Sequence, residues 1–361
     1  MRYAIFAFTY VDIDHIAPMA YILGIPLIVC DEKTKSICET CYPQVKIDYV
    51  DQSFFTFENI WKNYDVIIHS YKPWANHMRV FIDTTYRKQI LLVYCPHGNS
   101  DKTFTYTHAD SLAHHDHQFI YGDQMRAHIK KYSCYKEAHT LQVTGNYRKK
   151  FYEKFKEHFD ALAQKTIFSQ FEKKQTTLLY APTWQDPNAN TSFMQQFKGI
   201  LQACPKNLNL LIKLHPNLEQ HQPAETHYLL QNSDRYPNIV ANYDFTPTLP
   251  LISGCDAYLG DYSSVGYDFL ATCKPMFFLT NDNYPSPIHK CGLKIPKKDE
   301  PNPFSFIQEH LNADFSKEQQ DLYKHAFDDS ISFDTIRKEF FGYTENTWKQ
   351  QELSTQHQPT T

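Results

Sequence analysis

Short apolar runs alternate with amphipathic stretches along nearly the whole chain, and this alternation restricts the fold more than any other feature. Runs such as Ile90–Cys95 and Thr177–Ala181 lack the polar residue at every second position that marks a strand with one wet face. Such strands are buried on both faces, so they belong to parallel sheets covered by helices. In the first half the pattern predicts strands at Arg2–Phe8, Pro26–Cys30, Asp65–His69, Ile90–Cys95, Gln118–Tyr121 and Thr140–Val143. Helical stretches lie between them at Ile16–Leu23, Phe57–Lys62, Trp74–Arg87 and Asp123–Lys131. The second half repeats the theme with strands at Thr177–Ala181, Leu208–Leu214, Asn238–Val240, Ala257–Leu259 and Pro275–Leu279. Its helices are read at Ser192–Ala203, Pro247–Gly254 and Ser264–Thr272. The expectation is an α/β chain in two halves, which fits 361 residues at roughly 150 residues per domain.

The halves are joined by residues 147–174. Phe151, Phe155, Phe159 and Leu162 recur there at helical spacing, among eight Lys/Arg and four Asp/Glu residues. This reads as a basic amphipathic connector helix, either packed on a domain or touching an anionic membrane surface. The domains are therefore drawn as 1–146, the connector 147–174, and 175–344. A tail at 345–361, rich in Gln, Thr and Pro, is expected to be disordered.

Composition excludes several classes. Lys+Arg is 36 against Asp+Glu 40, a net charge of −4, which disfavours a nucleic-acid partner. No apolar run approaches the ~20 residues of a membrane span, and the N-terminal apolar stretch is interrupted by Asp12 and Asp14. Nine scattered cysteines fit a reduced cytoplasm. Neither His114-His115-Asp116-His117 nor Cys38-Glu39-Thr40-Cys41 has the spacing and second ligand pair of a metal site, so no metal is expected. GxxxxGK[ST], GxGxxG and GxSxG patterns are absent.

In open α/β sheets ligands bind beyond the carboxyl ends of the strands. Four strand ends carry chemistry. His97-Gly98, after Ile90–Cys95, offers a base that titrates near neutrality and a glycine that permits close approach, with Lys102 further on for a phosphate. Lys213-Leu214-His215-Pro216 puts a lysine and a histidine where proline stops a strand. Asp261-Tyr262-Ser263-Ser264 leads from a strand into a helix start, where N–H groups and hydroxyls suit an anion, although capping alone would also use a serine. Pro182-Thr183-Trp184 adds a hydroxyl and a stacking face.

The ordered set His97-Gly98, Tyr180-Ala181-Pro182-Thr183-Trp184, Lys213-Leu214-His215-Pro216 and Asp261-Tyr262-Ser263-Ser264 with Tyr267-Asp268-Phe269 resembles the CDP-glycerol glycerophosphotransferase family over roughly residues 90–340. The resemblance implies a GT-B architecture, two Rossmann-like domains facing a cleft with the nucleotide donor held mainly by the second. It implies His97 as general base toward the acceptor hydroxyl and His215 at the donor's pyrophosphate. Ser263, Ser264 and Asp261 fall on its phosphate-binding motif, Thr183 and Trp184 on its donor loop, and Arg148 on a Gly-x-x-Arg element, where it is read with Lys102 as a phosphate contact. Gln185 stands where the family usually has arginine, Pro96 where it has a bulky residue, and Asn99-Ser100 where it has Thr-Pro.

The reaction implied is attack of an acceptor hydroxyl on the β-phosphorus of a CDP-alcohol, with release of CMP. Lys213, His215, Ser263 and Ser264 would offset phosphate charge. The implied partners are a nucleotide-activated donor and a polymer or lipid-linked acceptor, with no cofactor, in the cytoplasm or at the inner membrane face. Two alternatives remain open: an enzyme acting on a nucleotide sugar (a GT-B glycosyltransferase or a UDP-GlcNAc 2-epimerase), and a non-catalytic nucleotide-binding or scaffold protein.

Overall fold

The computed structural model describes residues 1–361 apart from 55, 71, 82–83, 86–89, 101–113, 133–139, 185–190, 243–244, 246, 280–285 and 357–361. Two compact units divide the chain. One comprises Met1–His97, Thr103–Phe151 and Phe327–Thr361; the other comprises Gly98–Lys102 and Tyr152–Ala326.

The first unit is built on a seven-stranded sheet, β1 (Tyr3–Ala7), β2 (Leu27–Val29), β3 (Ile47–Tyr49), β4 (Val66–His69), β5 (Leu91–Tyr94), β6 (His117–Ile120) and β7 (Thr140–Val143). Its order is β3-β2-β1-β4-β5-β6-β7 and every pairing is parallel. The apolar runs explain this: Val66–Ile68 and Leu91–Val93 are fully buried in the middle of the sheet. Burying one such side chain contributes roughly 1.5–3 kcal/mol.

The second unit repeats the scheme with β8 (Thr177–Ala181), β9 (Asn209–Lys213), β10 (Ile239–Asn242), β11 (Ala257–Gly260), β12 (Met276–Phe278) and β13 (Leu293–Lys294). The order is β10-β9-β8-β11-β12-β13, again all parallel. Each predicted strand is present within a residue or two. Both sheets add one further strand that the sequence pattern did not reveal, β3 and β13. Each lies at a sheet edge and is two or three residues long, with an exposed residue, so it carries no apolar run.

Two expectations about organisation are corrected. Residues 147–174 do not form one helix. They form the helices Tyr147–Lys154 and Lys156–Thr166, broken at Phe155, and then a 3-10 turn at Phe168–Gln170. The boundary between the units falls between Phe151 and Tyr152, inside the first of these helices. The apolar stripe is used internally: Phe151 stacks on Tyr42, and Phe159 packs on Tyr152.

The second correction concerns the C-terminus. Residues from Phe327 onward belong to the first unit rather than the second, and the helix Phe333–Gln356 runs through most of the expected tail. Phe340 of this helix packs on Tyr3 and Phe119, and Gln142 of β7 donates to the Ile336 carbonyl at 2.9 Å. Gly145 makes the return possible. Its φ is +63°, and a Cβ there would lie 1.9 Å from the Asp328 carbonyl oxygen, so no other residue fits.

Candidate active site

In the second sheet, β8, β9 and β10 progress to one side and β11 then starts on the other, so the order reverses between β8 and β11. Ligands of open α/β sheets lie beyond the strand ends at such a point. The loops that leave β8 and β11 carry Thr183, Trp184, Asp261, Ser263 and Ser264.

Asp261 organises these loops. Its carboxylate is fully buried and accepts hydrogen bonds from the Thr183 N–H (2.9 Å), the Ser192 N–H (2.8 Å) and the Ser192 hydroxyl (2.8 Å). Burial, reinforced by this carboxylate, holds the Tyr180 phenol above its usual range, and its protonated hydroxyl meets Ser192 Oγ at 3.0 Å. The expectation of a direct donor contact is therefore corrected for Asp261: it holds the chain's own loops. Thr183 is also fully buried, and its carbonyl accepts from Thr191 Oγ1 at 2.6 Å, so it too is a loop anchor.

The two serines divide their labour. Ser263, buried, is the N-cap of the helix Ser264–Phe269, and its Oγ accepts from the Val265 N–H at 3.3 Å. Ser264 is half-exposed, and Gly98 lies against it. Gly98 has φ +125°, and a Cβ on it would sit 3.1 Å from Ser264 Oγ and 3.2 Å from Ser264 Cβ. Only glycine combines that backbone with that closeness.

His215 caps the helix Pro216–His221, its Nδ1 accepting from the Asn217 N–H at 3.2 Å. An accepting Nδ1 carries no proton, so in the neutral ring Nε2 is the donor. That suits a phosphate oxygen. Trp184 is half-buried, stacked on His221 with centroids 5.2 Å apart and lying 6.2 Å from His215. His221 was not singled out in the sequence; a histidine six residues after His215 on a short helix was its only signal. Lys213, half-buried, is the last residue of β9 and pairs in register with Asn242.

In the first unit, His97 is exposed just beyond β5, with Nδ1 3.2 Å from Tyr94 Oη. Burial pushes the Tyr94 phenol well up, so it remains a neutral hydroxyl partner. Arg148 is corrected as a phosphate contact. It is 3% exposed, and its guanidinium bonds to Asp14 Oδ2 at 2.5 Å and to the Asp14 carbonyl at 3.1 Å. Tyr42 Oη donates to the other Asp14 oxygen at 2.7 Å, completing a buried ion-pair network. Lys102 and Gln185 lie outside the described residues.

The histidine run is dispersed: His115 meets His69 at 3.3 Å, Asp116 pairs with Arg79 at 2.5 Å, and His117 bonds to Thr140 and Gln142. Every described cysteine is free. Burial holds the thiols of Cys38 and Cys41 at about 12, so neither is a thiolate near neutrality.

Residues 101–325 match the family described as CDP-Glycerol:Poly(glycerophosphate) glycerophosphotransferase. The match contains every motif of the second unit and begins just after His97. A search of curated proteins gave no match. Among solved structures, S. aureus MnaA with UDP is 14% identical with a TM-score of 0.64, covering 96% of this chain and 97% of that one. The wall teichoic acid polymerase TagF is 11% identical with a TM-score of 0.63, covering 97% and 90%. The UDP-GlcNAc 2-epimerase from Neisseria meningitidis bound to UDP-GlcNAc is 13% identical with a TM-score of 0.54, covering 88% and 94%. At such identities the likeness shows the fold, which is GT-B-like, as the resemblance implied. Because the family match spans more than half of the chain, the protein belongs to the CDP-glycerol:poly(glycerophosphate) glycerophosphotransferase family and is a transferase of that type.

Proposed function

We propose that the protein moves a glycerol-phosphate, or related alcohol-phosphate, unit from a CDP-activated donor to a hydroxyl of a surface-polymer or lipid-linked acceptor. The acceptor oxygen bonds to the β-phosphorus, the bond from that phosphorus to the bridging oxygen breaks, and CMP leaves with that oxygen. His97 takes the acceptor's proton at Nε2. For this its Nδ1–H donates to Tyr94 Oη, 3.2 Å away, which leaves the Nε2 lone pair for the hydroxyl. The His215 Nε2–H, the Ser264 hydroxyl and the Lys213 ammonium offset charge on the phosphates, the main form of catalysis open to phosphoryl transfer.

The observation that carries this reading is the approach of Gly98 to Ser264. Within the second unit it packs the glycine of the His97-Gly98 motif against Ser264, the half-exposed serine of the phosphate motif. The likeness to TagF, a wall teichoic acid polymerase, supports a cell-envelope polymer as the product. No described helix is long and apolar enough to cross a membrane. In this reading the enzyme works in the cytoplasm and meets a lipid-linked acceptor at the inner face.

The test is nucleotide release from CDP-glycerol, other CDP-alcohols and UDP-sugars with a lipid acceptor. Acceptor-dependent CMP release is expected. Turnover of UDP-sugars without CMP release would overturn the reading and favour the nucleotide-sugar alternative, which shares the fold of MnaA.

A further inference from the structure

Tyr258 belongs to none of the motifs discussed above, although it lies in the strand that leads into one of them. Residues 258 and 260 of β11 face the same side of the sheet. The Tyr258 side chain runs along the strand over position 260, which is glycine. A Cβ there would lie 2.1 Å from Tyr258 Oη and 2.4 Å from its Cζ. A Cβ on Gly266, in the helix Ser264–Phe269, would lie 3.2 Å from the same Oη. The phenol therefore occupies space that two glycines leave open, one before and one after the turn at 261–264.

Packing alone does not explain a tyrosine here. The fully buried ring meets Phe269 and Phe278 with centroids 5.3 Å and 6.1 Å away, and phenylalanine would fill that space equally well. The hydroxyl makes no hydrogen bond of good geometry among the described residues, a cost that phenylalanine would avoid. The polar side chain it faces is Ser263. Ser263 Oγ accepts the Val265 N–H at 3.3 Å through one lone pair and keeps a second for a phenolic proton. Burial, reinforced by the Asp261 carboxylate, holds the phenol well above its usual range, so it stays a donor.

We propose that Tyr258 is a positioning residue for the donor phosphates: its hydroxyl backs Ser263, and through that helix cap it fixes the turn that presents the Ser264 hydroxyl. The bond from Tyr258 to Ser263 forms as the turn closes on a phosphate. The proposal rests on the transferase reading above for the identity of the anion, the diphosphate of the donor.

The experiment measures CDP binding by calorimetry. Tyr258→Phe should weaken it roughly 3- to 10-fold, the size of one neutral hydrogen bond. The thermal midpoint of the protein without nucleotide should not fall, because the ring still fills its space. In the Ser263→Ala background the same substitution should leave CDP affinity unchanged, since its effect runs through Ser263. Unchanged affinity in Tyr258→Phe alone would overturn the proposal and leave the residue a packing one. So would a loss that persists at full size in Ser263→Ala, or a midpoint that falls in step with affinity. CDP binding needs no turnover. Absence of CMP release would therefore defeat the transferase reading alone, whereas a wild type that fails to bind CDP would defeat both.

Discussion

The Asp261 carboxylate reaches from the end of β11 to accept the Thr183 N–H at 2.9 Å, tying the loops of two neighbouring strands together. With two more bonds from Ser192, it fixes where Trp184 stands without itself reaching the surface. Asp261→Asn removes the charge and turns one acceptor oxygen into a donor facing N–H groups. The variant should lose roughly 2–3 kcal/mol, the scale of hydrogen bonds to a charged group. Nucleotide affinity should fall with it. Urea unfolding and calorimetry with CMP test both, and unchanged values would show that the loops hold their place by other means.

His97→Gln should lower kcat by roughly 10²–10⁴-fold, the usual contribution of positioned proton transfer. Donor affinity should change little, since the side chain faces Tyr94 and His15. Single-turnover kinetics beside nucleotide titration separate the two effects. Turnover within a few-fold of wild type would remove the base role.

Ser263→Ala and Ser264→Ala should part company. The first loses a helix cap and should cost about 1 kcal/mol of stability. The second should leave stability near wild type and weaken nucleotide binding. Equal effects on both readouts would contradict the division of roles.

Much of this was legible in the sequence, for a physical reason. Central strands such as β5 and β8 are buried on both faces, and a continuous apolar run is the direct imprint of that burial. Edge strands leave no such imprint, which is why β3 and β13 passed unnoticed. The motif positions at the ends of β5, β8, β9 and β11 were legible because strand ends are where such sheets bind ligands. What each side chain does there was not. Asp261 and Ser264 are three residues apart in one motif, yet one is sealed in and the other half-exposed. Arg148 looks like a phosphate ligand in the sequence, and only the fold supplies Asp14, 134 positions away, as its partner. Tyr258 left no signal, since in an apolar strand it reads as one more core aromatic until the fold sets Gly266 beside it.

Arg148→Met should destabilise the protein by roughly 3–5 kcal/mol, because it leaves Asp14 buried without its cation. Exchanging Arg148 and Asp14 together for apolar residues should recover part of that loss. Thermal unfolding of both variants checks the order, and a fully stable Arg148→Met would show the pair to be dispensable.

Acid should loosen the first unit through His117. Burial lowers its pKa to about 4, against the smaller opposing effect of its hydrogen bond to Gln142. The folded value lies below the unfolded one near 6.5, so the unfolded chain binds the extra proton first. This contribution, about 3 kcal/mol, is complete above pH 6.5 and is lost as pH falls toward 4. His117→Gln should flatten the decline in that window, as urea midpoints across pH would show; an identical slope would exclude His117 as its source.

The second unit interrupts the first in the gene, since Phe327–Thr361 completes what Met1–His97 begins. No single cut can therefore release either half whole. Loss of Phe327–Thr361 would spare every motif residue and still unseat the half that carries His97. Dissection of this enzyme calls for excision of an internal passenger, or for circular permutation, rather than truncation.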